Sequence, residues 1–307
     1  MRDDARELPW YRDPILVSGL PARYQAYALL WRVAGQDRSR HLRGGSWTLR
    51  ALKRMSRALR LPTTVVLRDG NGTALQTDFA DERILEIIHE FRHDQRELHV
   101  LDRLLSEGDT FIDIGANYGT YSLSCARRVG SSGIVISIEP QAHLAACISK
   151  SAKMSRLDNV TVVQAACGAE NGRTNLLVPV DDRGRGGVFP EFSGQWQNEM
   201  ETVSVLTLDS ICESLSRHGR MVIKIDVEGS EFDVLDGAAR TIAERRPGIL
   251  IELNPWSARA AAKTTASLLG RLQDMGYTTF ATMTSFPDPI PVESIPTDKQ
   301  CNVLAVG

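Results

Sequence analysis

Short apolar, β-branched runs alternate along this chain with helix-length amphipathic stretches, and that alternation predicts an α/β domain. The runs are Phe111 to Ile114, Ile134 to Ile138, Val160 to Gln164, Val222 to Asp226, Ile249 to Leu253, Thr278 to Met283 and Asn302 to Val306. They predict a seven-stranded, mostly parallel sheet with helices on both faces. Upstream, Thr63 to Leu67 and Thr73 to Thr77 flank Asp69-Gly70-Asn71-Gly72, a hairpin signal. Asp81 to Phe91 and Asp94 to Leu105 read as helices leading into the first core strand. Helix-like pieces at Ala22 to Ala34 and Trp47 to Arg60 are closed by Pro62. The expected organisation is a helical extension over residues 1–61 and a domain over 62–307, its hairpin and helices in 62–105 and its core in 106–307. An insertion after the third run, with apolar stretches at Thr174 to Val178 and Thr202 to Leu206 around residues 181–187, reads as a loop that covers a substrate.

One stretch carries chemistry. Phe111 to Tyr121 reads FIDIGANYGTY: a buried strand whose lone polar residue is Asp113, a turn with Gly115 and Gly119, then a helix start. A dinucleotide fingerprint needs G-x-G-x-x-G so that a pyrophosphate can lie on the helix N-terminus. Here Asn117 stands at the second glycine and Thr120 at the third, which disfavours a diphosphate and favours a nucleoside without phosphates. S-adenosylmethionine is such a ligand, with Asp113 attracting its ammonium and backbone N–H groups of the turn, around Ala116, meeting its carboxylate. The second run ends at Glu139, 24 residues after Gly115. An acid at the end of that strand holds a ribose diol, at about 20 residues from the glycine turn in related sheets.

Charge divides the chain. Residues 1–60 contain 13 Lys and Arg against 5 Asp and Glu, whereas the remainder holds 23 against 33. The extension is therefore basic, and Leu49, Leu52, Met55 and Leu59 lie beside Arg50, Lys53, Arg54, Arg57 and Arg60 at near-helical spacing. Such a stripe over residues 47–60 either lies on an anionic membrane surface or packs on its own domain or a dimer partner, and the second is the more common. The core shows no basic and aromatic interleaving, so no nucleic-acid partner is expected. Five scattered cysteines without a C-x-x-C pair argue against a disulfide framework and a zinc site. With no apolar run of the roughly 18 to 20 residues that span a membrane, and no signal-peptide apolar region at the start, a reducing cytoplasm is the expected setting.

A second constellation, Met221 to Glu231, is an apolar strand that carries charges a buried strand usually excludes. Alternation puts Lys224 and Asp226 on one face, and ligands in open α/β sheets bind beyond the carboxyl ends of the strands. FIDIGANYG, SIEP ending at Pro140, TLDS at Thr207 to Ser210, KIDVEGSE at Lys224 to Glu231 and RPGILIEL at Arg246 to Leu253 occur in that order. Together they make the chain, over about Val65 to Leu253, resemble the FkbM family of S-adenosylmethionine-dependent methyltransferases. The resemblance implies a class I methyltransferase fold and O-methylation of hydroxyls on natural products or sugars. It implies cofactor roles for Asp113, Gly115, Asn117 and Glu139 and an active-site location for Asp226; Ala116 and Gly119 of the same turn, and Asp226, are further cofactor-binding candidates. One departure is Gln164-Ala165-Ala166 after the third run, where many methyltransferases carry an acid near adenine; backbone around Ala166 takes that place.

Methyl transfer to an alcohol asks for alignment and a place for the proton. Asp226 is the candidate base or acceptor orienter, with Lys224 shaping its charge state. The alternatives are that Lys224, Asp226 and Glu228 form a structural ion-pair network, or that Asp226 only touches cofactor. Asp226, Glu252 and Asn254 offer three oxygen ligands of the type Mg²⁺ accepts, but a strand-end cap or a polar pocket uses the same residues, and no metal is expected. None of the six histidines lies at a predicted strand end. Two other functions stay open at this point: a nicotinamide-dependent Rossmann oxidoreductase, and a binding protein that holds S-adenosylmethionine without moving a methyl.

Overall fold

A seven-stranded sheet organises the protein. In the computed structural model, which describes residues 16–18, 64–78, 81, 83–91, 96–179, 198–215 and 219–307, its strands are β4 (Thr110–Ile114), β5 (Ile134–Ile138), β6 (Val160–Val163), β10 (Met221–Ile225), β11 (Gly248–Leu253), β12 (Thr279–Thr282) and β13 (Cys301–Val306). Their spatial order is β12-β13-β11-β10-β4-β5-β6, and all run parallel except β13, which pairs antiparallel with both neighbours. All seven runs of the sequence are strands of this sheet, within two residues at each end. From β4 the chain winds outward to β5 and β6, then returns to β10 and winds the other way. The carboxyl ends of β4 and β10 therefore flank the switch point at which such sheets bind ligands.

Both faces are covered, which is why the central strands are buried throughout. Ile112, Ile114, Ile136, Ile223, Ile225, Ile249 and Ile251 pack on one face with Val234, Leu235, Ile242 and Leu269. These come from helices α6 (Glu231–Asp236), α7 (Ala239–Arg245) and α9 (Thr265–Asp274). Phe111, Val135, Val222 and Leu250 pack on the other with Leu98, Leu101, Tyr121 and Cys125. Those belong to α2 (Arg96–Leu104) and α3 (Thr120–Val129). On that second face Ser137, Asp113 and Lys224 lie in one register row across β5, β4 and β10. A polar row of this kind costs stability unless its members satisfy one another.

Local chemistry explains the element ends. The hairpin of β2 (Thr64–Arg68) and β3 (Ala74–Asp78) turns at Asp69, whose Oδ1 accepts from Asn71 N and Thr73 N. Helix α1 (Ile84–Phe91) follows it. Helix α4 (Ala142–Ser155) connects β5 to β6 and packs on β3 through Ser151 and Ser155. Helix α8 (Pro255–Ala260) starts with Asn254 as its cap and Pro255 in its first turn.

The apolar stretches of the insertion are the antiparallel strands β8 (Gly172–Pro179) and β9 (Asn198–Leu206), joined by β7 (Ala166–Cys167) into a small sheet. A short helix, α5 (Leu208–Ile211), follows β9. Strand β1 (Leu16–Ser18), paired with β2, was not expected, because three residues are too few for a periodic signal. The helical pieces at Ala22 to Ala34 and Trp47 to Arg60, the basic stripe and residues 181–187 lie outside the described residues. No helix among the described residues is long and apolar enough to cross a membrane.

Candidate active site

The glycine turn after β4 is shaped by packing on both sides. Gly115, Asn117 and Gly119 all take positive φ, at 80°, 54° and 85°. A Cβ at Gly115 would overlap the carbonyl oxygen of Asp226, so the turn is pressed against the end of β10. On the side where a Cβ would point, the space is filled by the Asp226 backbone. Four N–H groups of the turn are also engaged within the protein. Gly115 N and Ala116 N donate to Ile138 O, Asn117 N to Glu139 Oε2, and Gly119 N to Ala116 O.

Beneath the turn, Asp113 is completely buried. Its Oδ2 accepts from Ser122 Oγ at 2.6 Å, and Ser122 Oγ accepts from Ser137 Oγ at 2.7 Å. Its Oδ1 is buried without a protein partner, as is Asn117 Oδ1. Burial raises the Asp113 carboxyl above the usual range, against the pull of the Lys224 ammonium. Lys224 Nζ donates to Asp226 Oδ2 at 2.8 Å and lies 4.6 Å from the centre of the Tyr121 ring. Burial alone would lower the Lys224 ammonium, but Asp226 and Asp113 outweigh it and the net shift is upward. The same pairing, opposed by desolvation and helped by Arg83, holds the Asp226 carboxyl below its usual range. Lys224 is 5% exposed and Asp226 37%, so the pair presents a carboxylate outward from a buried cation.

Glu139 sits at the end of β5 with both oxygens tied to backbone, Oε2 to Asn117 N and Oε1 to Gln141 N, each at 2.9 Å. Two fixed N–H donors orient the carboxylate and leave a lone pair on each oxygen for a diol. Burial pushes it up to about 7. Glu252, at the end of β11, is pushed up to about 8 by burial and by the negative fields of Asp226 and Glu228. Its Oε1 accepts from Gln300 Nε2 at 2.5 Å. Asn254 Oδ1 caps α8, accepting from Trp256 N and Ser257 N. Glu228 Oε2 accepts from Ser257 Oγ. Among the described residues no group of three or more His, Cys, Asp and Glu is arranged to hold a metal.

Residues 113–279, more than half of the chain, match the model of the methyltransferase FkbM domain. The chain belongs to the FkbM methyltransferase family. It is a class I methyltransferase by its sheet and an S-adenosylmethionine-dependent enzyme by its family. Over 162 residues it is 30% identical to the ribosomal RNA large subunit methyltransferase E of Chromohalobacter salexigens, covering 49% of this chain and 71% of that one. Among solved structures it is similar to the FkbM methyltransferase of Methylobacillus flagellatus, with 17% identity and a TM-score of 0.43, covering 73% of this chain. The chain spans 55% of that protein's length. It is also similar to TYW2 of M. jannaschii, solved with AdoMet, with 13% identity, a TM-score of 0.43 and coverage of 80% and 85%.

The FkbM site residues suit the family's methyl donor. Asp113 Oδ1 is a buried, unpartnered carboxylate oxygen of the kind an ammonium satisfies, and Glu139 is a held carboxylate of the kind a ribose diol satisfies. Ala166 lies half-buried in β7, just past the end of β6. Asp113, Gly115, Asn117, Lys224 and Asp226 thus converge at the switch point, with Glu139 one strand away. Sequence reasoning missed Arg83 and Glu90, which bring α1 to the same place. Glu90 Oε2 accepts from Thr120 Oγ1 at 3.1 Å, and Arg83 Nη2 lies 3.5 Å from Glu90 Oε1. Arg83, Glu86 and Glu90 share one helix face by spacing, a pattern visible in the sequence but indistinguishable there from a solvated surface.

Three of the buried acids predict the pH dependence of the ligand-free fold. Glu139, Glu231 and Glu252 are pushed up to about 7, 7 and 8, in each case chiefly by burial. Each binds its proton more tightly folded than unfolded, where the value is about 4.3. Its contribution is therefore fully present below the unfolded value and is lost as pH rises through 7 to 8. The Tm of the ligand-free protein should fall between pH 6 and 8.5, and Glu139→Gln combined with Glu252→Gln should flatten that fall. A Tm that rises over this range would contradict the assignment.

Proposed function

We propose that this protein is an O-methyltransferase that moves a methyl group from S-adenosylmethionine to a hydroxyl of a small-molecule natural product or sugar. The observation that carries this reading is Asp226, a carboxylate paired with a buried lysine, yet partly exposed beside the cofactor turn. Bound S-adenosylmethionine supplies a methyl carbon already activated by its sulfonium, so in-line displacement needs chiefly alignment. Asp226 accepts a hydrogen bond from the acceptor hydroxyl and holds one oxygen lone pair toward the methyl. As the O–C bond forms and the C–S bond breaks, the hydroxyl proton passes to this carboxylate or through it to water. Lys224 keeps Asp226 ionised at neutral pH, which suits an orienter and a weak base. Its lowered affinity for a proton also keeps the carboxylate ready for the next turnover. The five cysteines are free thiols, in keeping with a reducing cytoplasm.

A second reading, a hydroxyl of RNA, draws on the 30% identity to an enzyme named for ribosomal RNA. Against it stands the acidic balance of residues 61–307, with 23 Lys and Arg to 33 Asp and Glu, where a polyanion would meet net repulsion. The deciding experiment supplies methyl-labelled S-adenosylmethionine with total RNA and, separately, with the small-molecule fraction of a cell extract. Label is expected in the small-molecule fraction as a base-stable ether, and label in RNA would overturn the first reading. Asp226→Asn should lower turnover about 100-fold, the low end for loss of a proton acceptor. Its affinity for S-adenosylhomocysteine should stay within a few-fold, and unchanged turnover would remove Asp226 from the chemistry.

A further inference from the structure

We infer that Ser122 and Ser137 are positioning residues for the methyl donor, a buried hydroxyl chain that fixes the Asp113 carboxylate and leaves Oδ1 for the ammonium of the cofactor's methionine end. This rests on the S-adenosylmethionine reading and adds two residues to it. Ser137 stands beside Asp113 in the register of β5 and β4, and Ser122 meets both from the first turn of α3. All three are completely buried. They lie on the sheet face where Phe111, Val135, Tyr121 and Cys125 pack. A hydroxyl buried among such residues costs stability unless it is hydrogen-bonded, and here the bonds lead to one carboxylate.

The chain has a direction. A carboxylate only accepts, so the 2.6 Å contact with Asp113 Oδ2 uses the single hydroxyl proton of Ser122. The 2.7 Å contact between the two serines must then use the proton of Ser137. The backbone N–H of Ser122 reaches the same carboxylate. The plane of the carboxyl group is thereby set, with one oxygen committed to Ser122 and the other, Oδ1, buried without a partner in the protein. The Ser122 bonds and the field of Lys224 both favour the ionised form, which burial opposes. An ionised oxygen held in this way suits an ammonium, directly or through one bridging water. Without Ser122 the carboxyl group can turn, and it takes up a proton more readily. Without Ser137 the Ser122 hydroxyl loses the bond that polarises it toward Asp113.

Calorimetry with two probes tests this: S-adenosylhomocysteine, and its deaminated analogue, which keeps the amino-acid carboxylate and lacks the ammonium. Wild-type protein should bind S-adenosylhomocysteine more tightly. Ser122→Ala should weaken S-adenosylhomocysteine about 10-fold, the size of one hydrogen bond to a charged group, and leave the analogue within about two-fold. Ser137→Ala should weaken it about three-fold, the effect of a neutral hydrogen bond one step removed. In an Asp113→Asn background Ser122→Ala should cost nothing further, because the serine acts through the carboxylate. Binding of the analogue reports a folded site, and Ser137→Ala carries the test where Ser122→Ala does not fold. Equal affinity of the wild type for the two probes, equal loss for both, no loss in either serine variant, or full additivity with Asp113→Asn would overturn the inference while leaving the cofactor reading intact. Wild-type protein that binds neither probe would instead overturn the cofactor reading.

Discussion

Gly115→Ala will cost the protein several kcal/mol of stability and its affinity for S-adenosylhomocysteine, the largest effect expected of a single methyl group added at any glycine among the described residues. Two independent reasons combine. The residue has φ of 80°, a conformation that side chains with a Cβ resist at about 1 kcal/mol or more. The added Cβ would also overlap the carbonyl oxygen of Asp226 and crowd its carbonyl carbon at 2.9 Å. Backbone cannot rotate away as a side chain can, so β4 and β10 would have to part where the candidate site residues converge. Overpacking in a tight core costs roughly 1 to 3 kcal/mol, and backbone against backbone belongs at or above that range. Urea unfolding measures the loss. Gly270→Ala supplies the control: beyond its chain neighbours and its own helix backbone no atom lies within 4 Å of that Cβ, and α9 should gain about 0.5 to 1 kcal/mol. Similar midpoints for the two variants would refute the packing argument.

Lys224→Met should be the most damaging change of charge, and it should reverse how the site responds to acid. The ammonium faces Asp226 directly and Asp113 through its field, and Asp113 is completely buried. Removing one partner of a buried pair costs about 3 to 5 kcal/mol. Asp226 is 37% exposed and water screens it, so about 3 kcal/mol is the expected size. In the wild type the lowered Asp226 carboxyl contributes stability that is present above its unfolded value, near 3.9, and lost as pH falls through the folded value. Without Lys224, burial is opposed for Asp226 only by Arg83 and for Asp113 only by its hydrogen bond with Ser122, and both folded values rise. Their contribution is then largest at low pH and lost as pH climbs, so the deficit relative to wild type should shrink between pH 7.5 and 5. A deficit that stays constant with pH would mean that Lys224 acts through packing on Tyr121 and not through charge. Methyl transfer should fall at least as far as in Asp226→Asn, since the carboxylate loses its anchor.

Much of the candidate site was legible because its residues are sequential. Asp113 to Gly119 and Lys224 to Glu231 each make a strand and the turn beyond it, and period-two alternation assigns their faces without tertiary information. Glu139 was legible from a strand length and a helix length, which fix its distance from the turn. The hairpin at Asp69 followed from local turn chemistry. The antiparallel sheet of β7, β8 and β9 was legible only as two apolar stretches, since pairing across the insertion depends on contacts that no local pattern encodes.

By itself, then, the order of residues determined the parallel core, the glycine turn, the acid at the end of β5 and the charged strand, all of which arise from neighbours in the chain. Tertiary structure alone decided what those pieces do to one another. It filled the space at Gly115 with the Asp226 carbonyl and engaged the amides of Gly115, Ala116, Asn117 and Gly119 within the protein. It set Asp113 beside Lys224 in register and carried Arg83 and Glu90, over 20 residues upstream, to Thr120. The physical reason is range: backbone propensity and periodicity act over a few residues, whereas burial, electrostatic fields and steric exclusion act between whatever the fold brings within a few ångströms.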